Sequence, residues 1–155
     1  MTPVLDRLSS LGIALPEAPK AVANYLPAVV AGDLVIVSGQ LPLKDGQLCS
    51  TGKLGATVSI EEGYQAARQC AINALAALNG VINGEWGRVA QVVRVGGFVA
   101  SAEGFTDQPK VINGSSDLMV EVFQDAGRHA RAAVGVAELP LGASVEVEFM
   151  FRLHA

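Results

Sequence analysis

The sequence predicts an α+β domain: a single sheet with two helices on one face, in the order β-β-α-β-α-β-β. Three observations predict it. β-branched and apolar runs flank short turns near both ends of the chain, and two middle stretches carry helical periodicity. The length of 155 residues fits one domain with one core, and two helices can cover only one face of one sheet.

The elements follow in order. "LPAVVAGDLVIVSGQLP" is a hairpin whose β-branched runs flank Ala31-Gly32-Asp33, with a glycine free to take positive φ. "LKDGQLCSTGKLGATV" has three glycines and no period, so it is a loop. Ser59 and Glu62 form a capping box that satisfies the free N–H groups opening the first helix. Tyr64, Ala67, Ala71, Ala74, Leu75 and Leu78 then recur at helical spacing, and Gly80 is placed to end it. "AQVVRVGGFVA" is a strand with a bulge expected at Gly96-Gly97, and "SAEGFTDQPK" a loop. A second helix is expected from Ser115 to Ala126, stopped by Gly127, with Leu118, Met119, Val122, Phe123 and Ala126 on one side. The chain finishes as a hairpin turning near Pro140 and Gly142. "VING" occurs at 81–84 and at 111–114, a match too short to establish duplication.

Strand side chains alternate, so parity assigns faces. In the last strand Val145, Val147, Phe149, Phe151 and Leu153 share one face, and Glu146, Glu148, Met150 and Arg152 take the other. In the preceding strand, matching large apolar residues to the core puts Ala132, Val134 and Val136 toward the helices. Arg131, Ala133 and Gly135 then share the helix-free face with Glu146 and Glu148, and Glu146 lies near Gly135. A solvated face with a surface ion pair would contribute little. Such a face normally carries long polar residues, not alanine and glycine. A face covered by another subunit, with a carboxylate-binding arginine in the seam, fits better.

Composition points the same way. Half the residues are hydrophobic and 17% are charged, and the mean hydropathy is +0.38. That is rich for a small monomer, whose large relative surface needs polar cover. Apolar runs are broken well short of the roughly 20 residues of a spanning helix, and Asp6 and Arg7 interrupt the N-terminal run, against a signal peptide. Oligomerisation is the expected cover. The net charge is −4, with Lys and Arg scattered, so no basic face is available for nucleic acid. Cys49 and Cys70 make neither a disulfide framework nor a metal spacing, and His129 and His154 sit in no ligand motif; cytoplasmic free thiols and no metal are expected.

"ARAAVGVAELPLGASVEVE" resembles the C-terminal signature of the reactive intermediate deaminase (Rid) family, also called YjgF-type or endoribonuclease L-PSP proteins. Arg131, Leu139-Pro140 and Val145-Glu146-Val147 match in order and spacing. "YLPAVVAGDLVIVSGQLP" is similar to the family's first hairpin and aligns Tyr25 and Ser38-Gly39-Gln40; "VINGSSDLMVEVF" is similar to its Asn-bearing segment and points to Asn113. The resemblance runs from about Ala23 onward, leaving 1–22 as an N-terminal extension of a single domain.

The resemblance implies a chorismate-mutase-like fold and a homotrimer with ligand clefts between subunits. It implies cofactor-free hydrolysis of enamines and imines, such as 2-aminoacrylate, to 2-oxo acids and ammonia. By it, Arg131 and Glu146 are the catalytic pair, and Tyr25, Ser38, Gly39 and Asn113 line the cleft with Arg131. Arginine offers a planar two-pronged donor to the carboxylate of a small metabolite, and a carboxylate can position or deprotonate water. Plainer roles stand beside these. Tyr25 could be an interface aromatic, Ser38 a turn residue, Asn113 a helix cap, and Glu146 a structural partner of Arg131. His129 departs from the Pro or Ala usual there, Ala133 replaces a cysteine of some members, and the loop after Phe98 is longer. The alternative function is a non-catalytic trimeric module that binds small carboxylates; RNA cleavage ranks behind both, given the acidic charge.

Overall fold

The computed structural model describes residues 2–21 and 23–155. Ser59 starts the longest helix, α2 (Ile60–Ile82), through the predicted capping box: its hydroxyl accepts from the Glu62 N–H, and the Glu62 carboxylate accepts from the Ser59 N–H. The helix does not stop at Gly80. It runs to Ile82 and closes on Asn83, which takes the left-handed φ of 52°. Gly80 is small for another reason, since a Cβ there would press against Ala18 of the N-terminal segment.

Before α2 come α1 (Pro3–Ser10), β1 (Ala28–Ala31), β2 (Leu34–Gln40) and a miniature hairpin, β3 (Leu43–Lys44) and β4 (Gln47–Leu48), inside the expected loop. After it come β5 (Val89–Ala100), α3 (Gln108–Phe123), β6 (Ala130–Val136) and β7 (Val145–Leu153). The second helix therefore opens seven residues before Ser115, with Pro109 in its first turn where the missing N–H costs nothing. Asn113 lies inside α3 and caps nothing. The two "VING" segments are not equivalent, since one closes α2 and the other lies within α3.

The main sheet has the order β1-β2-β7-β5-β6. The expected terminal hairpin does not exist. β5 lies between β6 and β7, pairing parallel to β6 and antiparallel to β7. A parallel pair needs a long crossover, which α3 supplies. Gly96 and Gly97 form no bulge but pair regularly with Glu148 and Val147; the register shifts fall earlier, between Val89 and Arg94. A Cβ on Gly96 would strike the Glu148 side chain, and one on Gly97 would strike Ile112 of α3.

α2 lies over β2 and β7, and α3 over β5 and β6, so both helices cover one face as predicted. The β7 parity holds, with Val145, Val147, Phe149, Phe151 and Leu153 buried under them. The β6 parity is inverted. Val95 pairs with Arg131 and Gly97 with Ala133, so Arg131, Ala133 and Gly135 share the helix-covered face with Val95, Gly97 and Val99. Val134 pairs with Phe98 on the opposite face, where Val29, Ile36 and Val134 are exposed. The physical reason is space. A Cβ on Gly135 would already meet Gln108 and Ser101, and the helix-free face is apolar enough to take the larger side chains.

The helices approach closely because α3 is small at the crossing. A Cβ on Gly114 would fall on the backbone of Tyr64, and the buried Ser115 hydroxyl donates to the Ala67 carbonyl at 2.6 Å. The Tyr64 hydroxyl donates to Asp117 and Arg68 pairs with Glu121, both at 2.7 Å, along the outer seam. No helix among the described residues is long and apolar enough to cross a membrane.

Candidate active site

The structure divides the predicted site residues into two groups. The first is built on the edge strand β6 and on α3. Asn113 and Ser116 stand almost one helical turn apart, so both face the strand. Arg131 Nη1 donates to Asn113 Oδ1 at 2.8 Å and to Ser116 Oγ at 3.3 Å. Both protons of Nη1 are thereby used. Nε–H and the neighbouring Nη2–H have no partner among the described residues, and they form the side of the guanidinium that grips a carboxylate with two parallel bonds. His129 adjoins this group, with Nε2 2.9 Å from Ser116 Oγ and Nδ1 2.6 Å from the Gly127 carbonyl oxygen.

The second group surrounds Glu146. Glu146 leaves β7 on the helix-free face, opposite Phe98, not near Gly135 as its expected hairpin would place it. Its carboxylate lies directly over Gly39, where any Cβ would collide with it. Glycine at 39 is thus required by the carboxylate. A cleft of about 320 Å³ opens here, lined by Tyr25, Ser38, Gly39, Pro140 and Glu146 together with Lys20. Burial pushes the Glu146 carboxyl above its ordinary value, and the Glu148 charge adds to the shift. Such a carboxylate is a stronger base than a free one. The Ser38 hydroxyl donates to the Leu26 carbonyl at 2.6 Å, and the Ser38 N–H donates to Pro27. Ser38 therefore fastens the Tyr25–Pro27 segment along the cleft.

Arg131 and Glu146 do not meet in one chain. They stand two strand spacings and three residues apart, about 14 Å between backbones, and on opposite faces of the sheet. The expectation that they share the helix-free face fails because β5 intervenes. No ion pair joins them, so Glu146 is not the structural partner of Arg131 in its own chain. Among the described residues no cluster of His, Cys, Asp and Glu is arranged to hold a metal ion.

Two contributors escaped the sequence reading. Ser116 follows Asn113 by three residues, a spacing that would have placed it beside Arg131 had the helix start been set at Gln108. Lys20 belongs to the segment before the first hairpin, and nothing local announces that this segment folds back to the cleft.

Comparisons with known proteins show the family and the fold. Residues 5–153 match the family described as "YjgF/chorismate mutase-like, putative endoribonuclease". Protein TCP17 of Trypanosoma cruzi is 45% identical, over 97% of this chain and 94% of its own length. The 2-iminobutanoate/2-iminopropanoate deaminase of Dermatophagoides farinae is 32% identical, over 88% of this chain and 91% of its own. The crystal structure of Atu1372 from Agrobacterium tumefaciens, a protein with unknown function, superposes with a TM-score of 0.92 at 42% identity, over 98% of this chain and 93% of that one.

Proposed function

The chain belongs to the YjgF/chorismate mutase-like family, and on that premise we propose that it hydrolyses enamines and imines of 2-oxo acids, 2-aminoacrylate among them, to 2-oxo acids and ammonia without a cofactor. The observation that carries this reading is the Arg131 fork: Nη1 is fixed by Asn113 and Ser116, while Nε–H and Nη2–H point to no group of the described chain. An imino acid brings a carboxylate that fits this fork, and holding it fixes the C=N carbon for attack.

Glu146 supplies the second function in the proposal. It takes a proton from water as the water oxygen bonds to the C=N carbon and the π pair moves to nitrogen, and it returns that proton to the nitrogen to give a carbinolamine. Collapse of that intermediate forms the C=O bond and breaks the C–N bond, releasing ammonia. An enamine such as 2-aminoacrylate must first be protonated at C3 to become the imine.

Because Arg131 and Glu146 lie on opposite faces, the proposed cleft takes Arg131 and Asn113 from one copy, and Glu146, Tyr25, Ser38 and Gly39 from another. The exposed apolar helix-free face and the unpaired edge of β6 are surfaces such an assembly would cover, in a homotrimer by the family resemblance. Cytoplasmic residence belongs to the same proposal, consistent with the free thiols Cys49 and Cys70.

The test supplies 2-aminoacrylate from L-serine with a pyridoxal-phosphate dehydratase and follows its decay. The wild-type protein should accelerate decay and Arg131→Ala should not. Stabilisation by pyruvate that depends on Arg131, without turnover, would instead establish the non-catalytic carboxylate-binding module. Wild type and Arg131→Ala indistinguishable in both assays would overturn both readings.

A further inference from the structure

The guanidinium of Arg131 is held at the end of a directed chain of hydrogen bonds. His129 Nδ1 lies 2.6 Å from the Gly127 carbonyl, which can only accept, so the ring proton of the neutral imidazole sits on Nδ1. Nε2 is then an acceptor, and at 2.9 Å it takes the Ser116 hydroxyl proton. With its proton directed there, the Ser116 oxygen turns a lone pair to Arg131 Nη1 at 3.3 Å. Every donor has an acceptor, and the order runs one way from Arg131 through Ser116 to His129.

Resting on the proposed function, we propose that His129 is a positioning residue: through Ser116 it holds Arg131 so that Nε–H and Nη2–H face the substrate carboxylate. Without an acceptor at 129, the Ser116 hydroxyl can bond back to the helix carbonyl one turn earlier, as serines within helices do. Its oxygen then turns from Arg131, and the guanidinium keeps only Asn113 as an anchor and can swing about it. Protonation of the ring has a related effect. Nε2–H would donate to the Ser116 oxygen that already serves Arg131, bringing two cations to one acceptor. The groups that face the ring are Ser116 from α3, the Gly127 carbonyl from the preceding turn and Arg131 from β6, with the exposed Asp125–Arg128 pair on that turn. Burial, with the Arg131 charge in support and against the Gly127 hydrogen bond, keeps the ring below the ordinary imidazole value, so it is neutral at pH 7.

The experiment measures pyruvate affinity by calorimetry for wild type, His129→Phe, His129→Gln, Ser116→Ala, the His129→Phe/Ser116→Ala double variant and Arg131→Ala. Loss of one neutral hydrogen bond should weaken binding about five-fold in His129→Phe and in Ser116→Ala. The double variant should be no worse than either single one, because both break one chain. His129→Gln, whose amide oxygen can accept from Ser116, should restore affinity. Wild-type affinity should fall as pH drops through the imidazole ionisation, and that step should be missing in His129→Phe. If His129→Phe binds like wild type while Arg131→Ala does not bind, the inference is wrong and the proposed function stands. If Arg131→Ala binds like wild type, the proposed function is wrong. The NMR signal of the Arg131 Nε–H then decides the inference alone. Sharp in wild type and His129→Gln but broadened in His129→Phe supports positioning, and no change overturns it.

Discussion

If each cleft is shared, two inactive variants should restore one another. Arg131→Ala removes a two-pronged charged donor and should cost about 3 kcal/mol of substrate binding, roughly a hundred-fold in kcat/KM. Glu146→Gln removes the base and should cost roughly a hundred-fold or more in kcat. The two groups are about 14 Å apart across the sheet in one chain, so a cleft draws them from different copies. Suppose the variants are co-refolded in equal amounts and assemble at random into a cyclic oligomer. A cleft is then intact only when its arginine comes from a Glu146→Gln copy and its glutamate from an Arg131→Ala copy. One cleft in four meets that condition, so the mixture should recover about a quarter of wild-type imine hydrolysis. Differently tagged variants let mass measurement confirm that mixed oligomers formed. Mixed oligomers with no recovered activity would refute the shared cleft.

Three other outcomes follow from the packing. Gly39→Ala would drive its new methyl into the Glu146 carboxylate, which can swing aside; activity should fall to within ten-fold of Glu146→Gln while thermal unfolding changes little. Gly114→Ala would strike the Tyr64 backbone, which cannot swing aside, and should cost about 1–3 kcal/mol in denaturant unfolding. Glu146 has a raised carboxyl pKa, so the folded state binds its proton more tightly than the unfolded chain does. Stability is therefore lost as pH rises from the unfolded carboxyl value through the folded one, and Glu146→Gln should unfold later than wild type near pH 7, an advantage that fades below about pH 4.

Much of the fold was legible because its signals are local. The Ser59–Glu62 box, the α2 stripe, the first hairpin turn and the β7 alternation each read true in isolation. Strand neighbours are not local. Periodicity tells which way Glu146 points but not that Phe98, rather than Gly135, lies beside it. β6 misled for a related reason: its larger residues were assigned to the core, whereas both faces of this sheet are apolar and the helix-covered one is the narrower at that edge. The candidate residues came as a set from the resemblance, since motif order survives an error of topology. Their division into two groups was not legible, because it depends on a strand some 30 residues away in sequence. Ser116 was hidden by the helix start, which lies at Gln108 with Pro109 in the first turn and not at Ser115 as expected.

The insertion of β5 between β6 and β7 also bears on how such a site can change. Substitutions around Arg131 pack against α3, and those around Glu146 pack against β2 and the N-terminal segment. Their effects on stability within a chain should add, so the end that grips a carboxylate can be retuned without disturbing the end that handles water. An altered substrate preference is thus within reach of changes at 129, 133 or 116 alone, on a scaffold whose other half need not respond.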